Sequence, residues 1–266
     1  MKTLASTITL AILGILLSTA LFSSSDETIV LSKNNHIVFS GQVTDASVAQ
    51  AQIKLGLLSK QLDRDEVIYL VIDSPGGSVS AGNLFIDYAK SLPQNIKPIC
   101  IFCASMGYHM FQSFGERLVY SSSTLMSHRA SLGGIGGQLP GELETRLNWI
   151  KTTLTQMDVM AAKRVGLSTE AYQKLIYDEL WLNGNSAVAT KHADRLAKIK
   201  CDDQLISGTR SENVRTMFGP VEVTFSTCPL ISGMLDVKLA KGNTFRSREE
   251  AVNLVKQNRR SVMWNF

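Results

Sequence analysis

The chain has 266 residues, with 27 Lys and Arg against 23 Asp and Glu and a net charge of +4. Hydrophobic residues make up 44% and charged residues 19%, an ordinary globular balance with enough chain to bury one medium or two small cores. Basic residues are scattered apart from a small C-terminal group, Arg246, Arg248, Lys256, Arg259 and Arg260. That is too sparse for a nucleic-acid footprint and reads as a solvated tail.

Lys2 precedes a run without charge from Leu4 to Phe22, with small residues at Ser18, Thr19 and Ala20. A charged start, a long apolar stretch and a small-residue site fit a secretory signal cleaved after Ala20; about 20 apolar residues also suffice to span a bilayer. Residues 1–22 are therefore expected to be a signal peptide or membrane anchor, with membrane association through residues 4–22, and residues 23–35 a linker. Lys2 before the run and Asp26 and Glu27 after it put the N-terminus inside and the rest outside the cytoplasm, in the periplasm or facing it. In that oxidising compartment Cys201 and Cys228 are expected to pair. Cys100 and Cys103 read as small core residues, since no second Cys-x-x-Cys completes a metal site.

Along the chain, His36–Ser40 reads as a short strand, and Val43–Leu62 carries Ala49, Ile53, Leu57 and Leu58 at helical spacing. Val67–Ile72 is a continuous β-branched run, as in a strand buried on both faces, and ends in Asp73-Ser74-Pro75-Gly76-Gly77. A helix is expected from Ala81 to Leu92, a strand over Ile96–Phe102, and a helix after Ala104-Ser105-Met106-Gly107. Leu118–Tyr120 and Thr124–Met126 read as two short strands before His128. A Gly-rich stretch from Gly133 to Gly137 leads to a long helix over Pro140–Val165, followed by helices over Thr169–Tyr177 and Ser186–His192. The alternation indicates an α/β core of repeated βα units around a largely parallel sheet. From Lys198 the register changes; Val221–Phe225 alternates as a strand and Arg248–Asn258 reads as a final helix.

Two strand-to-glycine junctions are suited to chemistry. The Ser74–Gly77 turn can aim backbone N–H groups at a developing negative charge, or be a plain tight turn. Ser105 opens a helix, where a serine is either a nucleophile beside free N–H donors or an N-cap. Among the four histidines, His36 precedes the first strand, His192 lies in a late helix and His109 packs on the helix of Ser105. His128 follows a strand, from which a loop at the sheet edge can present it to Ser105. Asp178 and Glu179 are the downstream acids able to orient an imidazole.

The segment from Ile37 to about Leu196 resembles the Clp protease proteolytic subunit, a branch of the crotonase-like superfamily. The matching pieces run in order: Phe39–Val43, Ile68–Gly77, Ala81-Gly82, Ala104–Gly107, Met126–His128 and Gly133-Gly134. The resemblance implies a peptidase domain over residues 36–197 with a protruding handle helix, and leaves residues 198–266 as a C-terminal extension. It implies Ser105 as nucleophile, His128 as general base and the amides of Gly77 and Met106 as oxyanion hole, with Gly76 and Val79 along the substrate groove. Glu179, two residues ahead of Trp181-Leu182, takes the family acid's place, with Asp178 the alternative. The chain departs from the family at Arg129-Ala130, where Gln-Pro is usual, with an apparent extra residue before Gly133, and at Ile101 in place of a glycine.

The implied function is a serine endopeptidase acting on extended or unfolded polypeptides, with no metal or other cofactor. A cyclic homo-oligomer is expected, and export argues against an ATPase partner. Two other readings remain: an inactive scaffold or binding module of the same fold, and a signal-peptide-peptidase-A-like membrane protease using a Ser–Lys dyad, for which Lys163 and Lys174 have no supporting motif. A reporter fused after Asp26 is expected to be translocated in a bacterial host; a soluble cytoplasmic fusion would overturn the export reading.

Overall fold

The computed structural model describes residues 28–133, 138, 141–231, 233–240 and 242–264. The apolar run at 4–22 and the glycines from Gly134 to Gly137 lie outside the described residues. Among the described residues no helix is long and apolar enough to cross a membrane.

The chain runs β1 (Ile29–Leu31), β2 (His36–Ser40), α1 (Asp45–Ser59), β3 (Val67–Ser74), α2 (Val79–Lys90), β4 (Asn95–Ala104), α3 (Met106–Gln112) and β5 (Leu118–Ser127). It continues through α4 (Glu142–Val165), α5 (Thr169–Leu175), β6 (Leu180–Asn183), α6 (Gly184–Ala189), β7 (Arg195–Leu196) and β8 (Ile199–Cys201). The final part holds α7 (Asp203–Ser207), β9 (Thr209–Thr216), β10 (Gly219–Ser226), β11 (Met234–Leu239) and α8 (Arg248–Trp264). The central sheet has the order β2-β3-β4-β5, all parallel, with antiparallel β6 on the far half of β5 and parallel β7 on its near half. This is the α/β architecture expected from the alternation of strands and helices.

Both faces of the sheet are covered, which is why β3 reads as an unbroken apolar run. Ile68, Leu70 and Ile72 pack against the helices, together with Leu55, Phe85 and Tyr108. Val71, Ile99 and Leu118 face the opposite side, where Leu31, Leu205 and Cys228 cover them. α4 is buried only toward its end, at Met157, Ala161, Ala162 and Val165; its earlier turns project, with Trp149 67% exposed. Gly166 ends it in a left-handed conformation, φ 76°, for which glycine carries no Cβ penalty.

Two expectations need correction, and one strand is not anticipated. The segments 118–120 and 124–126 form one strand, β5, because Ser123 Oγ bonds both the Tyr120 N–H and the Cys100 carbonyl and carries the chain through. β6 follows α5 unannounced, since Leu180–Asn183 is too short to show a period. Cys100 and Cys103 are not free core thiols but a disulfide, with Cα atoms 5.9 Å apart. Residues three apart in a regular strand point to opposite faces. Here β4 bulges at Ile101: Cys100 stands against Ile72, and Phe102 against the next residue, Asp73. The extra residue turns both cysteines to the helix side.

The C-terminal part adds a three-stranded antiparallel sheet, β11-β10-β9, with its own small core of Val221, Val223, Val237, Ala251 and Val255. β9 escapes a sequence reading because Thr209–Thr216 is largely polar; β11 is not anticipated either. This part is tied to the core by β1 pairing with β8 and by a Cys201–Cys228 disulfide across 27 residues of sequence. Closing a loop of that length restricts the unfolded chain by about 3–4 kcal/mol. The Cys201→Ala/Cys228→Ala variant is expected to lose stability of that order in chemical unfolding, and an unchanged midpoint would count against the bond.

Candidate active site

β4 and β5 are parallel neighbours, with Ala104 level with Met126. Ser105 and His128 therefore leave the sheet at the same edge, one and two residues beyond that pair. The Ser105 N–H donates to the Met126 carbonyl at 2.9 Å, and Ser105 Oγ lies 2.8 Å from His128 Nε2. Ser105 is held at φ 53° and ψ −119°, a sparsely populated conformation for a non-glycine residue and typical of a strained strand-to-helix elbow. Its hydroxyl makes no N-cap bond to α3, which removes the capping alternative.

The glycine turn after β3 packs directly on this elbow. Gly76 has φ 93°, and a Cβ there would come within 2.7 Å of Ser105 Cβ and 2.8 Å of Met106 N. A side chain at Gly76 has no space, so the turn and the elbow share one surface. Ser74 braces it, donating to the Gly41 carbonyl at 2.7 Å and accepting from Gly76 N–H at 3.1 Å. On the outer side Val43 bonds the Gly76 carbonyl and accepts from Ser78 N–H. The N–H groups of Gly77 and Met106 donate to nothing among the described residues, so two amides stay available beside Ser105 Oγ. Val79 opens α2 behind the turn, where Ser78 caps the helix through Ala81 N–H.

The acid is not brought into contact. Antiparallel pairing of Ser127 with Leu180 sets Glu179 next in line opposite His128. Glu179, however, is exposed at φ 88°, and its Oε2 accepts from the Trp181 indole N–H at 2.9 Å. Asp178 is exposed and makes no hydrogen bond among the described residues. Neither carboxylate is hydrogen-bonded to His128, so no bond from an acid orients the imidazole among the described residues. The indole two residues on competes for that carboxylate.

Other contacts around His128 have no sequence signature. Ser127 Oγ and the buried Tyr172 hydroxyl lie 2.8 Å apart, fixing the end of β5 immediately before His128. The Arg129 guanidinium stacks 4.2 Å over the Tyr177 ring, an arrangement that the usual Gln-Pro at this place cannot make. His109 packs on α3, as its spacing predicts, only 8% exposed. Burial, and then the nearby His128, hold its pKa down to about 4. No cluster of three or more metal-ligating side chains occurs among the described residues.

The sequence model of one protein family, described as Clp protease, matches residues 20–199, more than half of the chain. The chain belongs to the Clp protease family. Membership supports a peptidase-type hydrolase, and members of this family typically form oligomers that act on polypeptides. The Clp protease match ends at β8, so α7 to α8 lie beyond it.

Two buried histidines give the domain a pH signature. His192, hydrogen-bonded through Nδ1 to the Tyr108 hydroxyl at 2.6 Å, is also held down to about 4 by burial and by Arg117. Both rings are neutral in the folded protein but titrate near the ordinary 6.5 once unfolded. As pH falls from about 6.5 toward about 4, only the unfolded chain takes up these protons, so stability is lost by up to about 1.4 kcal/mol per pH unit for each ring. Urea midpoints are expected to drop steadily across that window; constant midpoints would mean that the rings are not buried in the neutral form.

Proposed function

We propose that the protein is a serine endopeptidase in which Ser105 attacks the peptide carbonyl and His128 moves the proton. The observation that carries this reading is the 2.8 Å contact between Ser105 Oγ and His128 Nε2 at a strained elbow. With its own proton on Nδ1, the neutral imidazole accepts from Oγ–H as the carbonyl is attacked. It then returns the proton to the leaving amine. The free amides of Gly77 and Met106 hold the oxyanion. Water, activated by the same imidazole, then releases the acyl group from Ser105. Glu179 is the acid of this reading; its carboxylate must leave the Trp181 indole to reach Nδ1.

Several features favour this reading over the alternatives. A Ser–Lys dyad is disfavoured because Lys163 and Lys174 make no bond to Ser105 among the described residues, whereas His128 does. An inert scaffold has no need of a serine held at φ 53° with an uncapped hydroxyl. The projecting first half of α4, with Trp149 in the open, suits a surface through which subunits pair, and we propose a cyclic homo-oligomer. Extended or unfolded polypeptides, reached without an ATPase outside the cytoplasm, are the substrates of this reading.

Ser105→Ala and His128→Ala are each expected to lower peptide turnover by about a million-fold with the fold intact, on the scale set by subtilisin. Glu179→Gln is expected to be roughly a hundred-fold milder than either, and Asp178→Asn milder still. A fluorophosphonate probe should label the parent and not Ser105→Ala. An unchanged rate in Ser105→Ala would end the serine-peptidase reading.

A further inference from the structure

A cleft of about 1110 Å³ lies away from Ser105, between the central sheet and the part of the chain beyond the family match. One wall is β2 and α1; the other is formed by Arg210 and Glu212 of β9 and by the segment following β10, which the Cys201–Cys228 disulfide fixes in place. β2 ends the central sheet. The Asn35 carbonyl accepts from Tyr69 N–H and the Gly41 N–H donates to the Asp73 carbonyl, so the odd-numbered residues of this strand face β3. The N–H and C=O groups of His36, Val38 and Ser40 consequently point away from the sheet, and no described residue bonds them. They form a free strand edge about 16 Å long at some 3.3 Å per residue. Only an extended backbone matches that row of alternating donors and acceptors.

Two further observations define what fits. The Tyr120 hydroxyl, in the lining of the same cleft, is buried without a hydrogen-bond partner among the described residues, and an orphaned buried donor of this kind calls for an occupant. The charges are unbalanced. Glu212 is paired with Arg210, and Asp73 has an interaction of its own. The lining cations Lys33 and Lys54 are exposed and have no carboxylate partner among the described residues. Leu57, 57% exposed, and Ile231, 43% exposed, add apolar surface between the charges.

We infer that this cleft binds an acidic, extended polypeptide segment, which adds to β2 as a further strand and sets its carboxylates against Lys33 and Lys54. The inference deepens the peptidase reading and rests on it for the substrate class: the cleft is a recognition site outside the reacting groups, present because residues beyond the family match build its second wall. From Ser40 the chain passes through Gly41 and Gln42 to Val43, which bonds the glycine turn beside Ser105. A segment aligned on β2 is thereby directed toward the candidate active site.

The test uses the full-length Ser105→Ala protein and a fluorescein-labelled peptide of alternating Glu and Thr or Val, followed by anisotropy. Saturable binding is expected. It should weaken at least about tenfold for the same peptide N-methylated on alternate amides, for its Lys-for-Glu counterpart, and for the Lys33→Glu/Lys54→Glu protein. Val38→Pro, which removes one outward N–H and no bond to β3, is expected to weaken it too; the exposed lysine pair keeps the test decisive if that variant fails to fold. In the protein with Ser105 intact, Lys33→Glu/Lys54→Glu should leave hydrolysis of a short uncharged peptide ester unchanged. Binding that ignores backbone methylation or lysine reversal would overturn the inference, as would no binding, or a second copy of the chain filling the edge and resisting displacement. Loss of ester hydrolysis in the parent protein with binding intact would instead sink the peptidase reading alone.

Discussion

Ala104 of β4 stands level with Met126 of β5, and the bond from Ser105 N–H to the Met126 carbonyl locks that level at the point where both strands leave the sheet. This register brings a serine and a histidine 23 residues apart in sequence within 2.8 Å. It depends on the bulge at Ile101, which shifts β4 by one residue against β3, and on the longer excursion of β5 between Val119 and Thr124. A one-residue change of phase inverts every side chain beyond it. Without the bulge Ser105 would leave the sheet on the wrong side of the strand. The Cys100–Cys103 disulfide spans the extra residue and makes that phase hard to lose.

The glycine turn is the second half of the same constraint. Gly76 lies so near Ser105 and Met106 that no side chain fits between them. Val43 and Ser74 then fix the turn from its two sides. The two free amides thus belong to segments packed against each other, which is what a preorganised pair of donors requires.

Much of this was legible in the sequence because its signals are local. An unbroken β-branched run at 67–72, proline and glycine at 75–77 and a serine at a strand-to-helix junction each report a backbone requirement. The parallel sheet follows from alternation. The parts that were not legible are set by contacts across the chain. No period announces the bulge at Ile101, which decides whether Cys100 and Cys103 meet. Glu179 is next in line opposite His128, but the direction of its carboxylate is set by an indole two residues away, a competition that spacing does not reveal. β9, largely polar, looks like loop until β10 lies beside it.

The parallel pairing of Ile29–Leu31 with Ile199–Cys201 has a topological consequence. The first and last strands of the matched core are zipped together, so the points where the chain enters and leaves it are neighbours in space. The core is close to a closed circuit in which peptide order matters less than strand adjacency. Because the two strands are parallel, the core is entered at Ile29 and left at Cys201 at opposite ends of one three-residue ladder. A pull on either strand is thereby carried across the same ladder to the other.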